Sequence, residues 1–155
     1  MYYTLDCEFD GFGGELLSLA LVREDNESLY LVYPQPDIYK DDWVHNHVAP
    51  ILWSIPSPIP GMAYELECRV DGARKIAQFL KGDESPIIIA DWPDDIKYFC
   101  QAIITGPGLM ASINDIQFNM FRIDAYPTEL KYAIRHNAWW DAKALMMKLK
   151  ELKIV

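Results

Sequence analysis

The stretch YYTLDCEF at residues 2–9 is the part of the sequence that best defines the fold. Its alternation of apolar and polar residues is typical of a β-strand, in which successive side chains point to opposite faces of a sheet. One face then carries Tyr3, Leu5, Cys7 and Phe9, and the other carries Thr4, Asp6 and Glu8. The chain is therefore expected to begin with a strand that presents two acids on one side.

Asp6 and Glu8 are the first candidate site residues. Two carboxylates on the same face of a strand have Cβ atoms about 6.5–7 Å apart. Placing two like charges together in an apolar core is costly unless something cationic lies between them. The alternative interpretation is a solvent-facing strand with an incidental D-x-E pattern.

The next segments predict an antiparallel meander. Glycines at 11, 13 and 14 indicate a turn, and residues 15–22 and 28–33 are predicted strands joined by a turn at Asp25 and Asn26. Residues 41–52 predict one short helix with Asp41 or Asp42 as its cap and Pro50 near its end. Residues 55–61 are a predicted loop.

The second half alternates helices and strands. We predict helices at 70–81 (ended by Gly82), 93–104, 127–134 and 138–152, and strands at 86–90 and 118–124. The apolar run at 86–90 is typical of a strand that is buried on both faces. This order predicts one α/β domain over residues 1–155. Its mixed sheet has five or six strands, the first three antiparallel and the rest parallel, flanked by helices.

Composition limits the classes of protein. The chain of 155 residues has a formal net charge of −9, which argues against a passive nucleic-acid coat protein because phosphate binding needs Lys and Arg. The net charge does not exclude a nuclease whose carboxylates hold divalent cations, because a site with bound cations is locally electropositive. The three cysteines are predicted to be small buried residues in a reducing cytoplasm. No apolar run is long enough to span a membrane and no signal peptide is visible, which predicts a cytoplasmic location.

Two further groups of residues are candidates. Asp91, Asp94 and Asp95 follow the buried strand and begin a helix, where helix capping is the alternative role. His136 precedes Asp141 by five residues at the start of the last helix. An imidazole that is neutral near pH 7 can deprotonate a water there. The alternative is a surface histidine and an ordinary acidic residue at a helix start.

The order of these groups resembles the DEDDh 3′→5′ exonucleases, a branch of the ribonuclease-H-like superfamily. The family's D-x-E motif matches Asp6 and Glu8, and its H-x4-D motif matches His136 and Asp141. The likeness is closer to the compact mycobacterial-type 3′→5′ exoribonucleases. That likeness rests on D-C-E-F at 6–9, E-L-L-S at 15–18, W-V-x-x-H-V at 43–48 and an Asp followed by Cys100 and Gln101.

The resemblance implies a ribonuclease-H-like fold and a two-metal mechanism. Asp6, Glu8, Asp95 and Asp141 would hold two Mg²⁺ or Mn²⁺ ions, with His136 as general base. The sequence lacks the H-N pair that precedes the second-motif Asp in ribonuclease T. Asp91 therefore competes with Asp95 for that role.

The implied substrate is single-stranded RNA with a free 3′ end, cut to nucleoside 5′-monophosphates, and a homodimer is also implied. Residues predicted to contact substrate are Cys7, Phe9, Trp92, Trp139 and Trp140, with Phe12 as a further stacking candidate. Single-stranded DNA is an alternative substrate for the same site. A non-catalytic nucleic-acid or protein-binding module and an acidic interaction protein with chance motifs stay open as other classes.

Overall fold

A computed structural model describes residues 1–124 and 130–155 of the chain. Its main feature is a six-stranded mixed sheet flanked by helices. The strands of the described residues are β1 (Tyr2–Phe9), β2 (Leu16–Arg23), β3 (Ser28–Val32), β4 (Gly61–Glu65), β5 (Ile87–Ala90), β6 (Ile104–Gly106), β7 (Leu109–Met110) and β8 (Gln117–Met120). The sheet has the order β4-β3-β2-β1-β5-β8, and β6 and β7 form a separate hairpin.

Within the sheet of the described residues, β2 runs antiparallel to both of its neighbours, and the other paired strands are parallel. β1, β2 and β3 are antiparallel neighbours, as predicted for the meander. β5 lies parallel to β1, and β8 lies parallel to β5. The carboxyl ends of these three strands therefore meet at one edge of the sheet, where sites of α/β proteins usually form.

The helices are α1 (Asp42–His47), α2 (Arg69–Leu80), α3 (Pro93–Ala102) and α4 (Ala138–Glu151). Asp41 caps α1 by accepting from the N–H groups of Trp43 and Val44. A short 3-10 turn (Ala49–Ile51) follows α1. The helix predicted over 41–52 therefore has the predicted cap and ends earlier than expected.

The predicted alternation of β1 is confirmed by the two cores. Tyr3, Leu5 and Cys7 pack with α2 and α3 on one face of the sheet. The opposite core contains α4 and α1. The hydroxyl of Thr4 joins β1 to that side by donating a 2.8 Å hydrogen bond to the carbonyl of Ala142 in α4.

Several predicted boundaries were wrong. Strand β4 was not predicted: only its first residue, Gly61, lay in a predicted segment, the loop at 55–61. Its residues are mostly exposed and lack clear alternation. β4 forms because it pairs with β3 along its whole length. The helix predicted to reach Ile104 ends at Ala102, and the GPG stretch at 106–108 turns the β6–β7 hairpin. β8 ends at Met120 instead of 124.

The helix predicted at 127–134 is not found in its described part. Residues 130–134 form turns and irregular structure, and residues 125–129 lie outside the described residues. The last helix, predicted at 138–152, is confirmed as α4 with one residue fewer. Its cap is Asn137, a buried residue whose side chain accepts from the N–H of Trp140.

The cysteines are free, but not all are buried. Cys7 is buried and Cys100 is partly buried, whereas Cys68 is exposed. The prediction of a buried residue was therefore wrong for Cys68, whose thiol lies 3.3 Å from the carboxylate of Asp71. Within residues 1–124 and 130–155, no helix is both long and apolar enough to cross a bilayer.

Candidate functional site

The carboxyl end of β1 and the first turn of α4 bring three carboxylates together. Asp6 and Glu8 lie on the β1 face that looks toward α4, and Asp141 lies in the first turn of that helix. Each offers one oxygen, and these oxygens lie within 4.8 Å of one another. The D-x-E motif and the H-x4-D motif, far apart in sequence, thus meet at one place.

A second group of carboxylates shares Asp6 with the first. Oxygens of Asp6, Asp91 and Asp95 also lie within 4.8 Å of one another. Asp91 directly follows β5, and Asp95 lies in the first turn of α3. The structure therefore brings together all four predicted ligands and also Asp91, the residue that competed with Asp95.

Asp95 is the most deeply buried of these acids, at 2% exposure. Its Oδ1 accepts a 3.1 Å hydrogen bond from the backbone N–H of Cys7. Its Oδ2 is buried and accepts no hydrogen bond from the part of the chain that the structure describes. A buried carboxylate oxygen without a partner is costly, which indicates that a ligand belongs beside it.

Burial and mutual repulsion disfavour the charged forms of these acids. Burial, and next the charge of Asp95, raises the pKa of Asp6 well above its usual value. Burial and the charge of Asp141 do the same for the pKa of Glu8. Burial and the charge of Asp91 raise the pKa of Asp95. Without a cation, ionisation of these clustered carboxyl groups therefore costs free energy.

Asp141 has a milder environment. Burial raises its pKa to about 7, although hydrogen bonds from the backbone N–H groups of His136 and Asn137 lower it. Its position in the first turn of α4 also favours a negative charge, because the amino end of a helix is electropositive. Asp141 is thus held in place by the backbone of the segment that carries the histidine.

The residues of the two groups fit hard divalent cations. All donors are carboxylate oxygens, which suit Mg²⁺ and Mn²⁺ better than Zn²⁺. The unpartnered Oδ2 of Asp95 supplies a donor with no other role among the described residues. Asp6, Glu8 and Asp141 could hold one cation, and the group that shares Asp6 could hold a second.

His136 lies on the rim of the same site. Burial and the charge of Arg135 lower the pKa of its imidazole, which favours the neutral form near pH 7. Its ring and the ring of Trp43 are nearly perpendicular, with centroids 5.1 Å apart. Its backbone has a φ of 60°, a left-handed conformation that is costly for residues other than glycine. This conformation directs the chain into the Asn137 cap.

A cleft of about 270 Å³ opens onto the carboxylates. Asp6, Asp91, Trp92, Arg122, His136 and Asp141 line it, among others. Arg122 lies over the ring of Trp92, 4.5 Å from its centroid, and donates a 2.8 Å hydrogen bond to the backbone carbonyl of Asp91. The cleft therefore combines acids with a guanidinium able to contact a phosphate.

An aromatic groove of about 330 Å³ adjoins the site on the Glu8 side. Its lining includes Glu8, Phe9, Phe12, Trp43 and Trp92. Trp92 lines both the groove and the cleft, so the two spaces are neighbours. Phe12 is the most exposed member at 86%, whereas one face of Phe9 stacks on Tyr98.

Three predicted substrate contacts are corrected. Trp139 and Trp140 are buried in the core beneath α4, where their indole N–H groups donate to Ser28 and to the carbonyl of Ser54. Their rings therefore cannot stack on a base. The side chain of Cys7 is also buried, and its N–H is occupied by Asp95. Among the aromatic predictions, Phe9, Phe12 and Trp92 lie where a substrate could reach them.

Sequence reasoning missed three supporting residues. Trp43 was quoted only as part of a motif, but it contacts His136 and lines the groove. Asp10 fixes the start of α1, because its carboxylate accepts from the N–H groups of Lys40 and Asp41. Asn137 donates to the carbonyls of Ile51 and Leu52. An acid just before the glycine turn and an Asn before a helix were the available signals.

No protein-family model matches the chain, and a search of curated proteins finds no match.

Proposed function

We propose that this protein is a metal-dependent 3′→5′ exonuclease of the DEDDh type, acting on single-stranded RNA. The observation that carries the proposal is the pair of carboxylate groups that share Asp6, with His136 on the rim of the same cleft. The proposal includes a ribonuclease-H-like identity for the fold. Its support is a meander of three antiparallel strands followed by parallel strands, with the acids at the carboxyl end of β1 and β5.

The reaction would be hydrolysis of the terminal phosphodiester. Asp6, Glu8, Asp95 and Asp141 would hold two divalent cations, which supply the positive charge that acidifies the attacking water and balances the leaving 3′-oxygen. The neutral imidazole of His136 accepts the proton of the water that attacks phosphorus. The bond to the 3′-oxygen then breaks and a nucleoside 5′-monophosphate leaves.

The surroundings of the carboxylates suit an unpaired 3′ end. The groove beside Glu8 offers the rings of Phe12, Trp43 and Trp92, on which a base can stack. Arg122 lines the cleft on the other side of Trp92, where the neighbouring phosphate would lie. A duplex end would need to fray to enter, which favours single strands. The preference for RNA rests on the sequence resemblance.

The test is digestion of a 5′-labelled single-stranded RNA, with the DNA of the same sequence alongside, in Mg²⁺, in Mn²⁺ and in EDTA. We expect a ladder that shortens from the 3′ end in either metal and stops in EDTA. Asp6→Ala, Glu8→Ala and Asp141→Ala should each abolish cleavage. Asp42→Ala, which removes an acid from the first turn of α1, is a matched control that should keep it.

Other outcomes favour other functions. Faster cleavage of the DNA strand would reassign the same site to an exodeoxyribonuclease. No cleavage of either strand in any metal would refute the proposed exonuclease activity. In that case, RNA binding measured by fluorescence anisotropy separates a binding module from an acidic protein that does not bind nucleic acid.

A further inference from the structure

We propose that Asp91 is a fifth carboxylate ligand of the site, and that with Asp6 and Asp95 it holds the second cation before any substrate binds. The inference rests on the proposed function for the presence of two cations. It goes beyond that function because the four-carboxylate motif has no place for Asp91 beside Asp95.

The parallel register of the sheet places Asp91 beside Asp6. Thr4 of β1 pairs with Ile89 of β5. Two residues further along each strand, Asp6 and Asp91 come level at the end of the sheet. Their carboxylate oxygens lie within 4.8 Å of each other and of an oxygen of Asp95, a spacing that one cation can bridge.

Asp91 does not serve the structural role that its position suggests. The N-cap of α3 is Trp92, whose side chain makes no capping hydrogen bond. Arg122 donates to the backbone carbonyl of Asp91. Among residues 1–124 and 130–155, no ion pair within 4 Å involves the Asp91 carboxylate. Helix capping and a direct salt bridge therefore do not account for this acid. The nearby charge of Arg122 only partly offsets the burial that raises the pKa of Asp91.

A second observation points to a ligand at this place. Oδ1 of Asp95 is held by the N–H of Cys7, while Oδ2 is buried and accepts no hydrogen bond from the described chain. Asp95 belongs to the group that contains Asp91 and not to the group that contains Glu8 and Asp141. The buried oxygen without a partner thus belongs to the acid that shares a group with Asp91.

The fifth carboxylate changes how the second cation binds. With Asp6 shared, each cation has three carboxylates within reach, so neither depends on a substrate phosphate to complete its protein ligands. Affinity for hard cations rises with the number of charged ligands. The protein without substrate should therefore bind two cations.

The experiment is titration of the metal-free full chain with Mn²⁺ alone, following free Mn²⁺ by electron paramagnetic resonance. Wild-type protein should bind two ions. Asp91→Asn, which keeps the size of the side chain, should weaken one site by roughly tenfold or more and leave the other unchanged. Asp124→Asn is the matched control, because Asp124 lines the same cleft but belongs to neither carboxylate group.

Three results would overturn the proposal: one ion or none bound by the wild type, wild-type binding by Asp91→Asn, or equal weakening by Asp124→Asn. Circular dichroism of each variant checks that it is folded. RNA digestion separates the two proposals. Loss of one Mn²⁺ site in Asp91→Asn, without any cleavage by the wild type, would refute the exonuclease and retain Asp91 as a ligand. Cleavage by the wild type with unchanged Mn²⁺ binding in Asp91→Asn would retain the exonuclease and refute Asp91 as a ligand.

Discussion

The backbone N–H of Cys7 donates a 3.1 Å hydrogen bond to Oδ1 of Asp95 and so joins the centre of the sheet to the first turn of α3. Cys7 lies between the two acids of β1, so this bond fixes the distance from those acids to Asp95. One oxygen of Asp95 positions the site, and the other accepts no hydrogen bond from the described residues, so it is free for the proposed cation. These two roles can be separated by mutation.

Replacing Asp95 by Asn and by Ala should separate the charge of the side chain from its hydrogen bond. In EDTA near pH 8, Asp95→Asn removes a charge from a crowded group and keeps an acceptor for Cys7. We expect a melting temperature above that of the wild type. Asp95→Ala leaves the buried N–H of Cys7 without an acceptor, which costs about 1–3 kcal/mol. It should therefore melt below Asp95→Asn, as measured by circular dichroism.

Equal melting temperatures of the two Asp95 variants would show that the Cys7 hydrogen bond contributes nothing to stability. A wild type more stable than Asp95→Asn in EDTA would show that repulsion among the carboxylates is weak. Both variants should lose exonuclease activity.

Stability of the metal-free protein should fall as pH rises. Burial raises the pKa of Asp141 from 3.8 in the unfolded chain to about 7 in the folded protein. Between these values the folded state binds more protons than the unfolded state, so the free energy of unfolding decreases with pH. The loss of stability due to Asp141 is zero below about pH 4 and reaches its full value above about pH 7. At about 1.4 kcal/mol for each tenfold change in proton affinity, it is at most about 4 kcal/mol.

Thermal melts in EDTA between pH 5 and pH 8 measure this dependence. Asp141→Asn should reduce it and leave the part that comes from the raised pKa values of Asp6, Glu8 and Asp95. Asp115→Asn, an exposed acid outside the site, is the control and should follow the wild type. A wild type that becomes more stable from pH 5 to pH 8 would contradict the assigned direction of the pKa.

Divalent cations should reverse the same penalty. Mn²⁺ or Mg²⁺ that binds only the folded protein raises stability by about 2.7 kcal/mol at a hundredfold excess over its dissociation constant. We expect melting temperature to rise with either metal near pH 8, and EDTA to cancel the rise. Glu8→Gln should reduce this increase in melting temperature, because it removes the negative charge of one ligand from the group formed by Asp6, Glu8 and Asp141. Ca²⁺ and K⁺ serve as comparisons for size and charge, and an equal rise with K⁺ would indicate simple screening.

The sequence predicts those parts of the fold that carry a local pattern. Alternation gave β1, the apolar run gave β5, and helical spacing with an Asn cap gave α4. β4 was missed because its strand conformation depends on pairing with β3, about 30 residues earlier in the chain. No local pattern in GMAYE records that contact.

The candidate site was predictable to the same extent. Spacing along β1 placed Asp6 and Glu8 on one face, but it could not relate them to Asp91 and Asp95, since that distance depends on the register of β1 against β5. The burial of Trp139 could have been inferred, because Trp139, Ala142 and Met146 recur at helical spacing on one buried face of α4.

Two substitutions of His136 should separate its chemistry from its backbone conformation. Both His136→Ala and His136→Gly remove the imidazole, so each should lower kcat by roughly 10²–10⁴-fold while Mn²⁺ binding persists. Only glycine relieves the left-handed φ of 60°. His136→Gly should therefore be more stable than His136→Ala. A wild-type rate in either variant would exclude His136 as the base.

Trp92→Ala and Trp140→Ala should have opposite effects on function and stability. Trp92 is half-exposed at the junction of the cleft and the groove. Its loss should raise KM by the factor that corresponds to a lost stacking energy of about 1–3 kcal/mol per base. It should change the melting temperature little. Trp140 is buried and donates to the carbonyl of Ser54, so its loss should cost about 3–5 kcal/mol of stability.

The two tryptophan variants are compared by steady-state kinetics on a short single-stranded RNA and by urea unfolding. Measuring kinetics well below the melting temperature of Trp140→Ala ensures that only folded enzyme is compared. Under those conditions Trp140→Ala should keep the wild-type KM, because its ring lies in the core and contacts no substrate. A raised KM in Trp140→Ala with a normal KM in Trp92→Ala would show that Trp140, and not Trp92, contacts the substrate. The substrate would then lie against α4 instead of between the cleft and the groove.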